Sequence, residues 1–111
     1  MDTTFREDVK EQLDDVLLGI PGVSGGKAFG FPAYKVGRKV FCFVGGNGIG
    51  IKLPEEKVSQ LIESNDGMNP YVPETGTVWK SWVSIELGNA EDYAEYRALY
   101  EESAQFVGNG A

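Results

Sequence analysis

The sequence has no histidine and a single cysteine, Cys42, in 111 residues. Without histidine there is no imidazole general base, no Ser-His-Asp or Cys-His arrangement, and no His-ligated zinc site. One cysteine cannot close an internal disulfide or build a Cys-rich zinc site. Cys42 sits in the apolar run Val40-Phe41-Cys42-Phe43-Val44 with no cationic neighbour, so it reads as a small buried hydrophobe. No apolar run approaches the ~18–20 residues that span a bilayer. The opening residues Met1-Asp2-Thr3-Thr4-Phe5-Arg6-Glu7-Asp8 lack the basic start and apolar core of a secretory signal. These absences predict a cytoplasmic chain that is not an enzyme, takes no cofactor or metal, and has no membrane partner.

A further absence is local. No acidic residue lies between Val16 and Pro54, a stretch that carries Lys27, Lys35, Arg38, Lys39 and Lys52. That stretch is +5, residues 1–15 are −4 and residues 55–111 are −8, within a net charge of −7. The early strands are therefore basic and the helices acidic.

What is present is enough for one folded domain over residues 1–111. Apolar residues make up 41% of the chain, which argues against disorder. Thr4 and Glu7 have capping-box spacing, and Phe5, Val9, Leu13, Val16, Leu17 and Ile20 recur at helical intervals, predicting a helix that ends near Leu18-Gly19. Pro21-Gly22 and Gly25-Gly26 then break the chain. Strands are predicted over Lys27–Val36 and Lys39–Val44, joined by a type II′ turn at Gly37-Arg38. Asn47-Gly48 predicts a type I′ turn into a third strand through Ile49, Ile51 and Leu53. Pro54-Glu55-Glu56 opens a second helix with Val58, Leu61 and Ile62 as its buried stripe, stopped by Asp66-Gly67. Met68–Gly76 reads as a loop or short strand, and Trp79–Leu87 as a longer strand. Asn89 caps a last helix with Tyr93, Tyr96, Leu99, Tyr100, Ala104 and Val107 on its apolar side. Residues 107–111 read as a frayed tail. The fold class is α+β with an antiparallel sheet.

Two glycine-rich stretches do not carry nucleotide chemistry. Gly22-Val23-Ser24-Gly25-Gly26-Lys27-Ala28 is one residue short of a phosphate loop, and Ala28 replaces the magnesium-binding hydroxyl, so it reads as a flexible helix-to-strand connection. Gly45-Gly46-Asn47-Gly48-Ile49-Gly50 is a hairpin tip. The acidic pairs Asp14-Asp15, Glu55-Glu56, Glu91-Asp92 and Glu101-Glu102 diverge by ~100° on a helix and read as solvated faces.

If both turns hold their two-residue register, Tyr34 pairs with Phe41 and Phe43 with Lys52. Tyr34, Val36, Lys39, Phe41, Phe43 and Lys52 then share one sheet face. A face of aromatics and lysines fits self-association or a protein partner, or stacks bases beside phosphates in a nucleic acid, which the net acidity opposes. Alternatively a helix covers the aromatics and the lysines sit at the rim. Trp79 and Trp82, three apart on a strand, are expected on opposite sides, with Trp79 in the core beside Val83, Ile85 and Leu87 and Trp82 partly exposed. The candidate partner-binding residues are Tyr34, Lys35, Arg38, Lys39, Phe41, Phe43, Lys52 and Trp82. A small-ligand site built from distant residues is a further alternative.

Several segments resemble the YjbR/MmcQ-like and TfoX N-terminal-like domains. Phe29-Gly30-Phe31-Pro32 followed by Lys35-Val36-Gly37-Arg38-Lys39-Val40-Phe41 is similar to their opening hairpin, and Lys52-Leu53-Pro54-Glu55-Glu56-Lys57-Val58 to their strand-to-helix step. Pro73–Gly76 with Lys80-Ser81-Trp82-Val83 resembles their late loop and tryptophan strand, and Glu102-Ser103-Ala104-Gln105-Phe106-Val107 their closing helix. The resemblance covers about Gly22 to Val107. It implies an α-β(3)-α-β(2)-α fold like that of secretion chaperones, no catalytic residues to transfer, and a DNA-binding role of the kind suggested for YjbR-like domains. The second domain that follows the TfoX module has no counterpart here, so competence regulation does not transfer.

Overall fold

The computed structural model describes residues 4–110. Helical spacing puts Val9, Leu13 and Leu17 on one fully buried face of α1 (Glu7–Leu17), with Glu7 and Asp8 at its positive end. The helix starts at Glu7, which puts Arg6 rather than the expected Thr4 at its cap position. Arg6 holds the cap position without capping, and its guanidinium donates instead to the carbonyls of Leu87 at 2.6 Å and Gly88 at 2.9 Å. This ties the incoming chain to the end of the sheet, where the Thr4 carbonyl also accepts the Gly46 N–H at 2.8 Å.

The remaining elements are β1 (Val23–Ala28), β2 (Phe31–Val36), β3 (Lys39–Gly45), β4 (Gly48–Lys52), α2 (Glu55–Ser64), β5 (Met68–Tyr71), β6 (Trp79–Ile85), a 3₁₀ helix (Ala90–Tyr96) and α3 (Arg97–Gly108). They form one antiparallel six-stranded sheet in the order β1-β2-β3-β4-β6-β5. The α+β class is as expected, but four strands rather than three precede α2. The predicted strand Lys27–Val36 is folded back on itself at Phe29-Gly30, whose φ values of 58° and 84° make a type I′ turn between Ala28 and Phe31. The segment expected to be a flexible connection is edge strand β1. Its glycines are depleted in strands generally, yet Gly26 fits here because the Lys35 stem lies 3.2 Å from where a Cβ would stand.

Gly37-Arg38 turns as predicted, with Val36 opposite Lys39 and Gly37 at φ 63°. The β3–β4 turn falls at Gly46-Asn47 instead of Asn47-Gly48, so Phe43 opposes Gly50 rather than Lys52. Gly48 is needed elsewhere: any Cβ there would run into the Ile85 carbonyl of β6. The two-residue slip leaves each side chain on its face.

The β2–β3 ladder departs from the expected register in a way that does change faces. Lys35 opposes Val40, but Tyr34 opposes Cys42 rather than Phe41, leaving Phe41 as an extra residue in a β-bulge. Tyr34, Phe41 and Cys42 all lie in the main core, while Phe43 belongs to a separate cluster on the other side. The single aromatic–lysine strip expected from sequence is therefore not formed.

The main core joins Val9, Leu13, Leu17, Leu99, Tyr100 and Val107 of the helices to Val44, Ile49, Ile51, Val83 and Ile85 of the sheet. Val107 is buried and α3 runs to Gly108, with the Asn109 N–H bonded to the Gln105 carbonyl, so the expected frayed tail is helix end over its described part; Ala111 lies outside the described residues. Among the described residues, buried side-chain polar groups are matched. Ser103, wholly buried, donates to the Lys52 carbonyl at 2.5 Å, with the carbonyl of the bulged Phe41 at 3.3 Å. Tyr100 donates to the Tyr93 carbonyl at 2.7 Å. The Cys42 thiol is fully buried and pushed far up by that burial.

Tyr34 donates to Asp14 Oδ1 at 2.7 Å, and Lys10 Nζ sits 2.8 Å from Oδ2. Burial raises the Asp14 carboxyl, but the hydrogen bonds from Lys10 and Tyr34 outweigh it and leave the group below its ordinary value. A carboxyl lowered on folding stabilises above the ordinary carboxylate range and loses that contribution as pH falls through its folded value. Tyr34→Phe should cost about 1 kcal/mol at neutral pH. The gap between wild type and variant in thermal unfolding should narrow as pH drops below about 4.

Candidate binding face

The sheet face away from the helices is built on Ala33, Phe43 and Trp82, with Ala28, Phe31, Val40, Tyr71 and Trp79 packed around them. Among the described residues, no helix residue belongs to this cluster. A second irregularity assembles it. Pro70 opposes Val83 but Tyr71 opposes Trp79, so the ladder shifts by several residues. Trp79 and Trp82 consequently share this face, with ring centroids 5.9 Å apart. The expected placement of Trp79 in the core beside Val83 and Ile85 is corrected by that shift, and so is the expected partial exposure of Trp82: Trp82 is buried under the neighbouring rings and Trp79 is the half-buried one.

Glycines let the rings lie down on the backbone. A Cβ at Gly50 would stand 2.6 Å from the Phe43 ring, and one at Gly45 3.1 Å from the Phe31 ring. Phe31 and Phe43 stack at 5.8 Å with an interplanar angle of 19°. Tyr71 meets Phe43 edge-on at 5.2 Å and tilts against Trp79 at 5.1 Å. Phe29 stands over this floor, edge to face with Phe43 at 5.4 Å, Trp79 at 5.1 Å and Trp82 at 6.1 Å. Phe43 is buried, whereas Phe29 is 47% exposed and has a left-handed backbone that L side chains rarely adopt.

Two hollows open on either side of Phe29 and Trp79. The larger, about 720 Å³, is lined by Phe29, Phe31, Phe43, Tyr71 and Trp79 with Glu74 and Glu86. Burial, and then the Glu74 carboxylate, raise the Tyr71 phenol above its usual value. The smaller, about 500 Å³, is lined by Lys39, Val40 and Lys52 with Phe29, Trp79 and Trp82, and reaches Val107 of α3 at its margin. One end of the face is thus acidic and the other basic.

Of the eight residues singled out from sequence, Phe43, Lys52 and Trp82 come together here, and Lys39, opposite Val36 at the start of β3, lines the rim of the smaller hollow. Lys35 lies along the β1 edge over Gly26, Arg38 is exposed in the β2–β3 turn, and Tyr34 and Phe41 are beneath the helices. Sequence reasoning missed Phe29, Phe31, Tyr71 and Trp79. The signal for the first two was Phe-Gly-Phe, a turn glycine between two aromatics on a hairpin. No group of three histidine, cysteine or acidic side chains among the described residues could hold a metal ion. No described helix is long and apolar enough to cross a membrane.

The profile of the YjbR family matches residues 18–104. The chain belongs to the YjbR family. The match takes in the whole sheet and stops within α3; of the residues lining the two hollows, Thr4 and Val107 lie outside it. No curated protein matches the chain. No solved structure matches it either.

The Phe29 backbone gives a direct check on this face. Phe29→Ala and Phe29→Gly both remove the ring, but only glycine relieves the left-handed φ. Phe29→Gly should therefore be the more stable by about 1 kcal/mol in chemical denaturation, the reverse of the usual order.

Proposed function

We propose that this YjbR domain is a non-catalytic interaction module that works through the aromatic face of its sheet. The observation that carries the reading is the group of rings left uncovered by the helices and topped by Phe29, which is held exposed in a costly backbone conformation. Val72 and Val78, at 51% and 45% exposure, add apolar surface beside it. Phe29 is the exposed ring, over half-buried Phe31, Tyr71 and Trp79 and buried Phe43 and Trp82, and an exposed aromatic seated on such a cluster is a common anchor of interfaces.

A second copy of the chain fits this face. Lys39 and Lys52 at one end and Glu74 and Glu86 at the other meet opposite charges when two copies pair about a two-fold axis. Sedimentation of the wild type should show concentration-dependent pairing that is lost in Phe29→Asp, with the variant still folded by circular dichroism. A wild type that stays monomeric at the highest soluble concentration overturns the pairing.

The basic hollow favours a second reading. Lys39 and Lys52 beside Trp79 and Trp82 could hold a phosphate while a base stacks on an indole. Binding of a single-stranded oligonucleotide would then weaken steeply with salt, and Lys52→Ala would lower the slope of log K against log salt by about 0.7. No binding at low salt removes this reading.

A further inference from the structure

We propose that the smaller, basic hollow docks a short acidic segment of a partner protein, with carboxylates on the lysines and an apolar side chain against Val40 and the Trp79 ring. The inference rests on the reading of this domain as an interaction module, and adds the chemistry of a partner.

Charge pairing is uneven across the molecule. The chain has 17 acidic and 10 basic residues, so acids outnumber the bases they can pair with. Arg6, Lys10, Lys57 and Arg97, just before or within the helices, each pair with a carboxylate. Lys27, Lys35, Arg38, Lys39, Lys52 and Lys80, on the strands and the β2–β3 turn, pair with none among the described residues. The cause is the acid-free stretch from Val16 to Pro54: β1 to β4 bring these cations no carboxylate. Three of the six meet at one end of the sheet. Arg38 and Lys39 form the β2–β3 turn and the start of β3, and Lys52 ends β4. Lys39 and Lys52 line the smaller hollow on either side of Val40, and among the described residues no acid lines it. Lys39 is exposed and Lys52 partly so, within reach of another chain.

Other anions match less well. A nucleic acid is drawn by the same cations, but five of the six unpaired bases are lysine, and the planar two-point grip on phosphate belongs to arginine. The net charge of −7 also repels a long polyanion wherever it extends past the hollow. A short segment seated in the hollow stays within the ~8 Å over which charges act at physiological salt. Val40 and Trp79, both half-buried, give it apolar ground between the lysines. A second copy of the chain claims the same two lysines, so pairing and this docking exclude each other.

The test uses a capped peptide of glutamates around one central leucine, its glutamine counterpart, and a single-stranded oligothymidylate. Each is titrated into the dilute chain and followed by calorimetry and by indole fluorescence, since both Trp79 and Trp82 line the hollow. The glutamate peptide should bind saturably and more weakly as salt rises, and the glutamine peptide at least about tenfold more weakly. Lys39→Ala and Lys52→Ala should each weaken the glutamate peptide about two- to fivefold. Lys39→Glu combined with Lys52→Glu should abolish its binding in a chain still folded by circular dichroism, and Lys27→Ala, at the far end of β1 opposite Pro32, should leave it unchanged. Equal affinity for the two peptides overturns the recognition of acids while leaving the face an apolar binding surface. Tighter binding of the oligonucleotide than of the glutamate peptide assigns the hollow to nucleic acid and overturns the inference. No saturable response to the glutamate peptide from a wild type that still pairs overturns the inference alone. Binding that survives the double charge reversal places the peptide elsewhere and overturns this site.

Discussion

Phe41 has no partner of its own on β2, and this two-against-one pairing decides which side of the sheet each neighbouring ring occupies. Before the bulge, side chains of β3 alternate in one phase; after it, they alternate in the other. Phe41 and Cys42 therefore both turn toward the helices and Phe43 turns away. The bulge is secured from above, because the buried Ser103 hydroxyl of α3 sits between the carbonyls of Phe41 and Lys52. Without that phase change, Phe43 would lie in the helical core and the aromatic face would lose its central ring.

The two sides of the sheet are stabilised by different means. The helical side is a dense apolar core with its hydroxyls paired, as where Tyr100 donates to the Tyr93 carbonyl. The other side relies on ring-on-ring and ring-on-glycine contacts. It also tolerates local strain at Phe29, where asparagine or glycine would sit more easily. Strain that the surroundings must hold in place tends to gather at sites with a task. The charge pattern agrees with this division. The acid-free segment from Val16 to Pro54 supplies the four consecutive strands of the sheet, and Glu74 of the β5–β6 loop and Glu86 just after β6 supply the opposite end of the face.

Much of the fold was legible in the sequence because it rests on local rules. The periodicity of Val9, Leu13 and Leu17, the Gly37-Arg38 turn, the proline and acids opening α2, and the Val83/Ile85 alternation of β6 are all found. The candidate site was only half legible, because its faces depend on register. Period-2 alternation assigns a side to each residue only until an extra residue intervenes, and both bulges fall among the aromatics. Nothing in the sequence around Phe41 or Trp79 marks such an insertion. The Gly46-Asn47 turn shows the same limit: Asn47-Gly48 is the stronger local signal, but Gly48 is claimed by the Ile85 carbonyl across the sheet. The strand β1 was hidden by glycines that read as a break and serve as room for the Lys35 stem.

The order of the strands leaves β1 and β5 as the two margins of the sheet. β1 is glycine-rich with Lys27 exposed near its end, and β5 is only four residues long with Pro70 inside it. Such margins make poor templates for another chain's backbone, since proline lacks an N–H and a charged or floppy strand resists being paired. Growth by adding strands, the route to filaments, is therefore discouraged at both ends. An apolar sheet face can stay exposed in this fold because the backbone beside it offers no way to propagate.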